Sequence, residues 1–501
     1  MKSRLLALLI AMSLMLTGCQ ELRGIFQCSK SHTDADDNGK CDVCASSVTV
    51  EIDIYAINDL HGKMFDTSVQ PGSDELTTLL KSAKLVNENS IFISSGDMWQ
   101  GSFESNLTRG LMVTDWMNEL GFSAMTLGNH EFDWGTDYIE SNAEAANFPI
   151  LAINLYENAS GERPEWCESS VLIKLSGVKV GIIGAIGDVE SSISSDKIED
   201  VGFSVGTDLT NLVKAESDKL RAEGADIVVY SLHDGATSNS SGTISVNKLK
   251  DYYDPILSSG FVDIVFEGHT HRSYVLTDAL DVYHIQGGGD NDGISYAQIC
   301  INTVTGTNIV EEAEVISSED YSSYASSSLI DELAEKYSDE IAPGYRTLGK
   351  NSRYRSSTVL EDTVAELYLK RALEVWGDEY DIFLGGGYLK TRTPYNLYAG
   401  DIKYSDLVML FPFENEIVLC EIRGDKLKSR FLSDLKDYHT ALSDYGEKNQ
   451  NKVSPGSTYY VVVDSYTAQY EKNGLTVIKT LGADIYARDL LAEHIASGGF
   501  K

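Results

Sequence analysis

The chain is short of positive charge. Forty lysines and arginines stand against 76 aspartates and glutamates in 501 residues, a formal net charge of −36 at pH 7. That balance argues against a nucleic acid polymer or an anionic membrane face as partner, since both are bound through basic surface. It favours solubility, and it means that an anionic substrate must be held by metal ions or local arginines. Past the N-terminal leader no apolar run reaches the roughly 20 residues that cross a bilayer. No internal repeat is evident. Cysteine is scarce, seven residues in all, and three of them (Cys167, Cys300, Cys420) are scattered without an evident pairing.

What is present is a set of polar motifs in order: Asp59 and His61 in N-D-L-H-G, Asp97 in S-G-D-M-W-Q-G, Asn129 in G-N-H-E-F-D, His233 in S-L-H-D-G, and His269 with His271 in G-H-T-H. Carboxylates, imidazoles and one amide suit hard or borderline divalent ions such as Zn, Mn, Fe, Co or Ni rather than a thiolate-held structural zinc. Seven side chains exceed one closed tetrahedral site. They fit two ions that share a bridging carboxylate and keep open positions for water and substrate. Each motif follows a short apolar run: V-E-I-D-I-Y-A-I-N, I-F-I-S-S-G, A-M-T-L-G, D-I-V-V-Y-S-L and V-D-I-V-F-E-G. The ligands therefore stand where strands give way to glycine-containing loops, and in open α/β sheets such loops cluster on one edge and build sites. Singly, Asp97 or Asn129 could cap a helix or shape a turn, and His284 in V-Y-H-I-Q-G reads as structural. His439 in K-D-Y-H-T-A reads as an exposed surface histidine.

In this order, D-x-H-G, G-D-x-x-x-G, G-N-H-E-F-D and G-H-T-H resemble the calcineurin-like metallophosphoesterases. The G-N-H-E-F-D-W-G form and the long C-terminal extension resemble the secreted 5′-nucleotidase branch, which also holds cyclic-nucleotide phosphodiesterases and UDP-sugar hydrolases. The resemblance implies that Asp59, His61, Asp97 and His271 hold the first ion and Asp97, Asn129, His233 and His269 the second, with Asp97 bridging. It also implies that His130 and Asp133 form a catalytic His–Asp dyad. A bridging water of lowered pKa would attack phosphorus in line as hydroxide. His130 would donate a hydrogen bond or proton to the transferring group, and Asp133 would fix its tautomer. Glu131, in the same loop, could be a participant or an acid at a helix start.

Five segments are expected. Residues 1–19 read as a lipoprotein signal: a basic start, an apolar stretch from Leu5 to Leu16, and Leu16-Thr17-Gly18-Cys19 resembling the bacterial lipobox, with cleavage before Cys19 and lipidation of its thiol. This places the chain outside the cytoplasmic membrane, on a lipid anchor at the bacterial cell membrane or envelope. Residues 20–48 contain a small element in which Cys28, His32, Cys41 and Cys44 have the composition of a Cys3His structural zinc clip. Disulfides are the rival reading for an exported chain. Asp34, Asp36 and Asn38 before Gly39 mimic the start of a calcium loop, but Ala45 stands where an EF-hand has its bidentate glutamate. Residues 49–318 form the metallophosphoesterase domain, 319–352 a linker with helical pattern, and 353–501 a second domain.

In the second domain V-L-E-D-T-V-A-E-L-Y-L-K-R-A-L-E-V-W-G reads as an amphipathic helix with a glycine stop. The motifs that follow resemble the nucleotidase C-terminal domain. By that resemblance Phe413 of P-F-x-N stacks on a base and Asn415 hydrogen-bonds it, although Phe413 could also be simply core. The usual N-x-G-G-x-R is altered: Leu384 precedes Gly385-Gly386-Gly387, and the nearest bases are Lys390 and Arg392, so the phosphate-binding arginine is displaced or absent. Tyr466 or Tyr470 offers a second face for a base sandwich. The expected fold is α/β: a four-layer α/β/β/α metallophosphatase sandwich followed by an α/β substrate-binding domain. The expected function is that of a monomeric, dinuclear metal-dependent 5′-nucleotidase acting on a small nucleotide. Alternatives are a 2′,3′-cyclic-nucleotide phosphodiesterase or UDP-sugar hydrolase on the same site, a thiosulfohydrolase-like enzyme, or a non-catalytic surface binding lipoprotein.

Overall fold

Alternation along Thr49–Ile57 builds the central strand: Ile52, Ile54 and Ala56 are buried on one side of it, Ile57 on the other. A computed structural model describes residues 32–42, 45–66, 71–238, 242–244, 261–392, 396–433, 438–482 and 485–500. In it the first sheet runs, edge to edge, through Asn308–Ser317, Gly293–Asn302, Thr49–Ile57, Ser90–Ser94, Ala124–Thr126 and Ile150–Leu151. The last four strands are parallel; the first two are antiparallel additions. The second sheet orders Ser273–Thr277, Tyr283–Gly287, Ile264–Glu267, Ile227–His233, Val178–Ile186 and Ser170–Leu175, with a parallel middle.

The two sheets face each other across an aliphatic core in which Ile52, Ile54 and Ile93 meet Val180, Ile182 and Val229. Helices Asp74–Val86, Leu111–Leu120 and Thr136–Ala145 cover the outside of the first sheet through Leu80, Trp116 and Ile139. Helix Thr207–Ala222 covers the second through Leu209, Val213 and Leu220. This is the expected four-layer sandwich. Strands buried on both faces read as nearly continuous apolar runs, which is why I-V-V-Y-S-L and I-V-F-E carry so little alternation.

The segment between the domains is not a bare connector. Tyr321, Leu329, Ile330 and Leu333, on the short helices Ser318–Tyr321 and Leu329–Lys336, are buried in the first domain's outer core. The expected amphipathic helix is Ser357–Trp376, whose Leu360, Val364, Tyr368 and Ala372 pack on a five-stranded mixed sheet. The three glycines lie in its strand Ile382–Tyr388. A Cβ on Gly385 would sit 2.5 Å from the backbone nitrogen of Leu369, and one on Gly386, whose φ is +126°, 2.0 Å from the carbonyl oxygen of His439. The cluster lets a helix and a neighbouring strand close on the strand backbone.

His439 is not the exposed surface histidine its local sequence suggests. Its ring is only 14% exposed and bridges Glu361 (3.1 Å) and Asp362 (2.8 Å) of the long helix, because pairing with Ile382–Tyr388 draws its strand against that helix. His284 is core, as expected, and donates to the buried Glu267 at 2.9 Å.

Candidate metal centre and substrate cleft

Five strand ends deliver the seven predicted ligands: three from the first sheet (after Ile57, Ser94 and Thr126) and two from the second (at His233 and after Glu267). The turns are tight. Asp59, His61, Asp97, His269 and His271 all hold φ between +50° and +68°, a left-handed conformation that costs a non-glycine residue of order 1 kcal/mol or more. Five such residues at one locus indicate that the fold over-determines their placement. Gly96 supports it: at φ +92° it approaches His233 so closely that a Cβ would lie 2.4 Å from Nδ1.

Asp59, His61 and His271 gather into one donor cluster, and Asp97, His233 and His269 into a second. In the first, Nε2 of His271 lies 3.1 Å from Nε2 of His61 and 3.2 Å from Asp59 Oδ1. In the second, Nε2 of His233 lies 3.2 Å from both Asp97 Oδ2 and Asn129 Oδ1, and Nδ1 of His269 is 2.9 Å from the same amide oxygen. His61 and His233 each commit Nδ1–H to a backbone carbonyl, Gln100 at 2.8 Å and Ser95 at 2.7 Å, which aims an Nε2 lone pair inward.

Charge follows this geometry. Burial, with Arg392 and His271 nearby, keeps His61 well below its ordinary pKa and therefore neutral. Burial works against the charge of Asp97, but His233 and His130 outweigh it and hold the carboxyl well below its usual range. Burial likewise opposes charge on His233, yet Asp97 draws a proton onto it and lifts its pKa to about 10. That proton stands where a cation would. Converging lone pairs, the ionised Asp97 carboxylate and imidazoles oriented by carbonyls are what two divalent ions require, so the residues fit the pair.

His130 and Asp133 are hydrogen-bonded to each other. His130 donates from Nδ1 to Asp133 Oδ2 at 2.8 Å, leaving Nε2 as the nitrogen available to the cleft. Burial opposes its protonation, but Asp133 and Asp97 prevail and hold its pKa up at about 9. Glu131, beside it, has a role that sequence reasoning left open. Fully buried, its carboxylate accepts the backbone N–H groups of Asp97, Met98, Trp99 and Gly128 at 2.7–3.2 Å and so ties two ligand loops together.

The second domain closes the site into a cavity of about 410 Å³. Phe413, Asn415, Arg392 and Tyr466 line it, opposite His130 and the ligands. The Phe413 ring stacks on His130, centroids 5.7 Å apart and planes 25° from parallel. Tyr466 stands against Tyr388 and accepts a hydrogen bond from Tyr470, giving the cavity an aromatic wall. Arg392 is displaced in sequence but present in space. It reaches across to Gln100 Oε1 at 2.9 Å and to Asp290 at 4.0 Å, and Asp290 also faces the buried Lys63 at 3.7 Å. Asp290, on the turn after Tyr283–Gly287, was not singled out in the sequence. Its only local signal is the glycine-rich G-G-G-D-N-D-G.

Of the N-terminal candidates, Cys19, Cys28 and Cys44 lie outside the described residues. Cys41 is buried and His32 exposed. Asp34 turns inward, accepting the N–H groups of Asn38 and Gly39 and the side chain of Asn302, which docks this element on the edge of the first domain. Among the described residues no helix is long and apolar enough to cross a membrane.

Residues 52–273 match the calcineurin-like phosphoesterase family and residues 382–445 the 5′-nucleotidase C-terminal domain. The chain is 24% identical over 413 residues to Endonuclease YhcR of Bacillus subtilis, covering 76% of itself but only 32% of that protein. It is 24% identical over 437 residues to Protein UshA of Yersinia enterocolitica, covering 76% of itself and 75% of that protein. A crystal structure of a 5′-nucleotidase precursor from Thermus thermophilus shares the fold, with a TM-score of 0.66 at 16% identity over 89% of this chain and 96% of the other. Family models on both domains, the common fold and the two assembled donor clusters agree: the chain carries a calcineurin-like phosphoesterase domain followed by a 5′-nucleotidase C-terminal domain.

Proposed function

We propose that this chain hydrolyses nucleoside 5′-monophosphates or closely related nucleotides to nucleoside and phosphate. One observation carries the reading. The His130–Phe413 stack puts a base-sized aromatic surface and a proton donor in the same cavity as the two donor clusters. Two divalent ions would supply Lewis acidity toward a phosphoryl oxygen and an activated water. The rest falls to side chains. Arg392, prepositioned by Gln100 and Asp290, offers a fork to a phosphate. Phe413 and Tyr466 provide flat apolar faces for a base, and Asn415 a polar edge beside them. His130, steered by Asp133, places a proton where charge accumulates on the transferring group.

A second reading, cleavage of a UDP-sugar or a cyclic nucleotide at the same centre, is favoured by the cavity's size and by Lys390, a further cation on its wall. The leader pattern and Cys19 support an extracytoplasmic, lipid-anchored placement for a monomer, and Cys28, His32, Cys41 and Cys44 a structural zinc. The test is phosphate release from a nucleotide panel by the stripped protein restored with Mn, Zn or Co. Turnover of 5′-monophosphates above cyclic and sugar nucleotides is expected. Failure on every phosphoester with metal restored would promote the binding-protein reading.

A further inference from the structure

Between the stacking Phe413 and Asn415 stands Glu414, which also lines the cavity and whose carboxylate pairs with two arginines. It is 2.9 Å from Arg109 of the first domain and accepts a hydrogen bond from Arg488 of the second. Arg488, on helix Ala487–Ala496, also donates to the carbonyl oxygens of Pro412 (3.1 Å) and Phe413 (3.3 Å), holding the loop's backbone. Arg109, at φ +53° between two helices, lies over Trp134 at 5.5 Å and Tyr138 at 5.1 Å. Trp134 ends the turn that begins at His130. Phe413 is thus tied to the dyad-bearing turn twice: directly by ring stacking, and indirectly through Glu414, Arg109 and Trp134.

The two ties differ in what they can specify. A ring-on-ring contact is shallow and tolerates sliding. A carboxylate that accepts a hydrogen bond from Arg488 and pairs with Arg109 at 2.9 Å, with Glu414 and Arg488 side chains 10% and 8% exposed and Arg109 31%, is held more firmly, because its loss leaves the buried Arg488 charge without its partner. A base held against Phe413 takes its place from that ring, and the ionic bridge limits how far the ring can shift from His130. We infer that Glu414 is a positioning residue: by bridging Arg109 and Arg488 it sets the separation of Phe413 from His130, and hence the span from base to scissile phosphate. The inference rests on the nucleotide reading above.

The test uses the full metal-loaded chain as wild type, E414Q, R109Q and the double variant, each checked for a wild-type melting profile. For a nucleoside monophosphate, kcat/KM should fall about tenfold in either single variant, mostly through KM. For p-nitrophenyl phosphate, which has no base to place, the change should stay within about threefold. The double variant should be no worse than the singles, since both break one bridge. Amide hydrogen exchange in residues 411–415 should quicken in E414Q. Parallel losses on both substrates, or single effects that multiply, would overturn the proposal. If the wild type cleaves the aryl ester but no nucleotide, the nucleotide reading has failed. The exchange measurement then decides the bridge alone: faster exchange supports it, and unchanged exchange removes it.

Discussion

The backbone N–H of His130 donates to Oδ1 of Asp97 at 2.8 Å. The carboxylate expected to bridge two ions therefore also anchors the first residue of the turn that carries the dyad. The candidate metal cluster and His130 are one mechanical unit, so disturbing the first should disturb the second.

Asp97→Asn keeps an oxygen for that N–H but removes the charge. Turnover on every phosphoester should fall by at least about 10³-fold, the scale of losing a main electrostatic element of a site. Bound metal, measured by mass spectrometry of the desalted protein, should drop below two ions per chain. Full activity with two ions retained would sink the dinuclear centre.

Phe413→Ala removes the aromatic face over His130. A loss of about 1–1.5 kcal/mol of stacking corresponds to a roughly tenfold higher KM for nucleotides. Steady-state kinetics on a nucleotide and on a small aryl phosphate check it. Equal losses on both would make Phe413 part of the packing rather than a substrate contact.

Glu131→Gln tests the brace between ligand loops. Its amide group would meet N–H donors that now point at a carboxylate, leaving some of the four unsatisfied at about 1–3 kcal/mol each. Urea unfolding should show the midpoint lowered, with metal affinity reduced alongside it. An unchanged midpoint would mean that the loops hold themselves.

His439 supplies a pH dependence remote from the metals. Hydrogen bonding to Glu361, opposed by burial and joined by Asp362, raises its pKa from 6.5 to about 8. A raised histidine pKa stabilises the fold fully below the unfolded value and ceases to do so as pH climbs through the folded one. Stability of the second domain should therefore fall by about 1–2 kcal/mol between pH 6.5 and 8. In His439→Gln this part of the slope should vanish from the denaturation curves.

Much of the first domain was legible because each candidate metal ligand sits next to the strand that carries it. An apolar run, a glycine and a polar residue lie within a few positions, so local spacing records the site. The second domain was less legible for a matching reason. The glycine triplet was read as an altered N-x-G-G-x-R motif, but its constraint comes from Leu369 and His439, distant in sequence. His439 looked exposed because its partners, Glu361 and Asp362, lie more than seventy residues away.

By itself the sequence determined the strands and the seven candidate ligands at their ends, because periodicity and strand-end motifs are local; the four-layer sandwich and the His130–Asp133 pair were legible only through the family resemblance. Tertiary structure alone decided how the second domain completes the cleft. Arg392 meets Gln100 and Asp290, Phe413 meets His130, and Glu414 meets Arg109 only after two separately folded cores dock. Contacts across such an interface depend on three-dimensional approach, and no spacing along the chain records them.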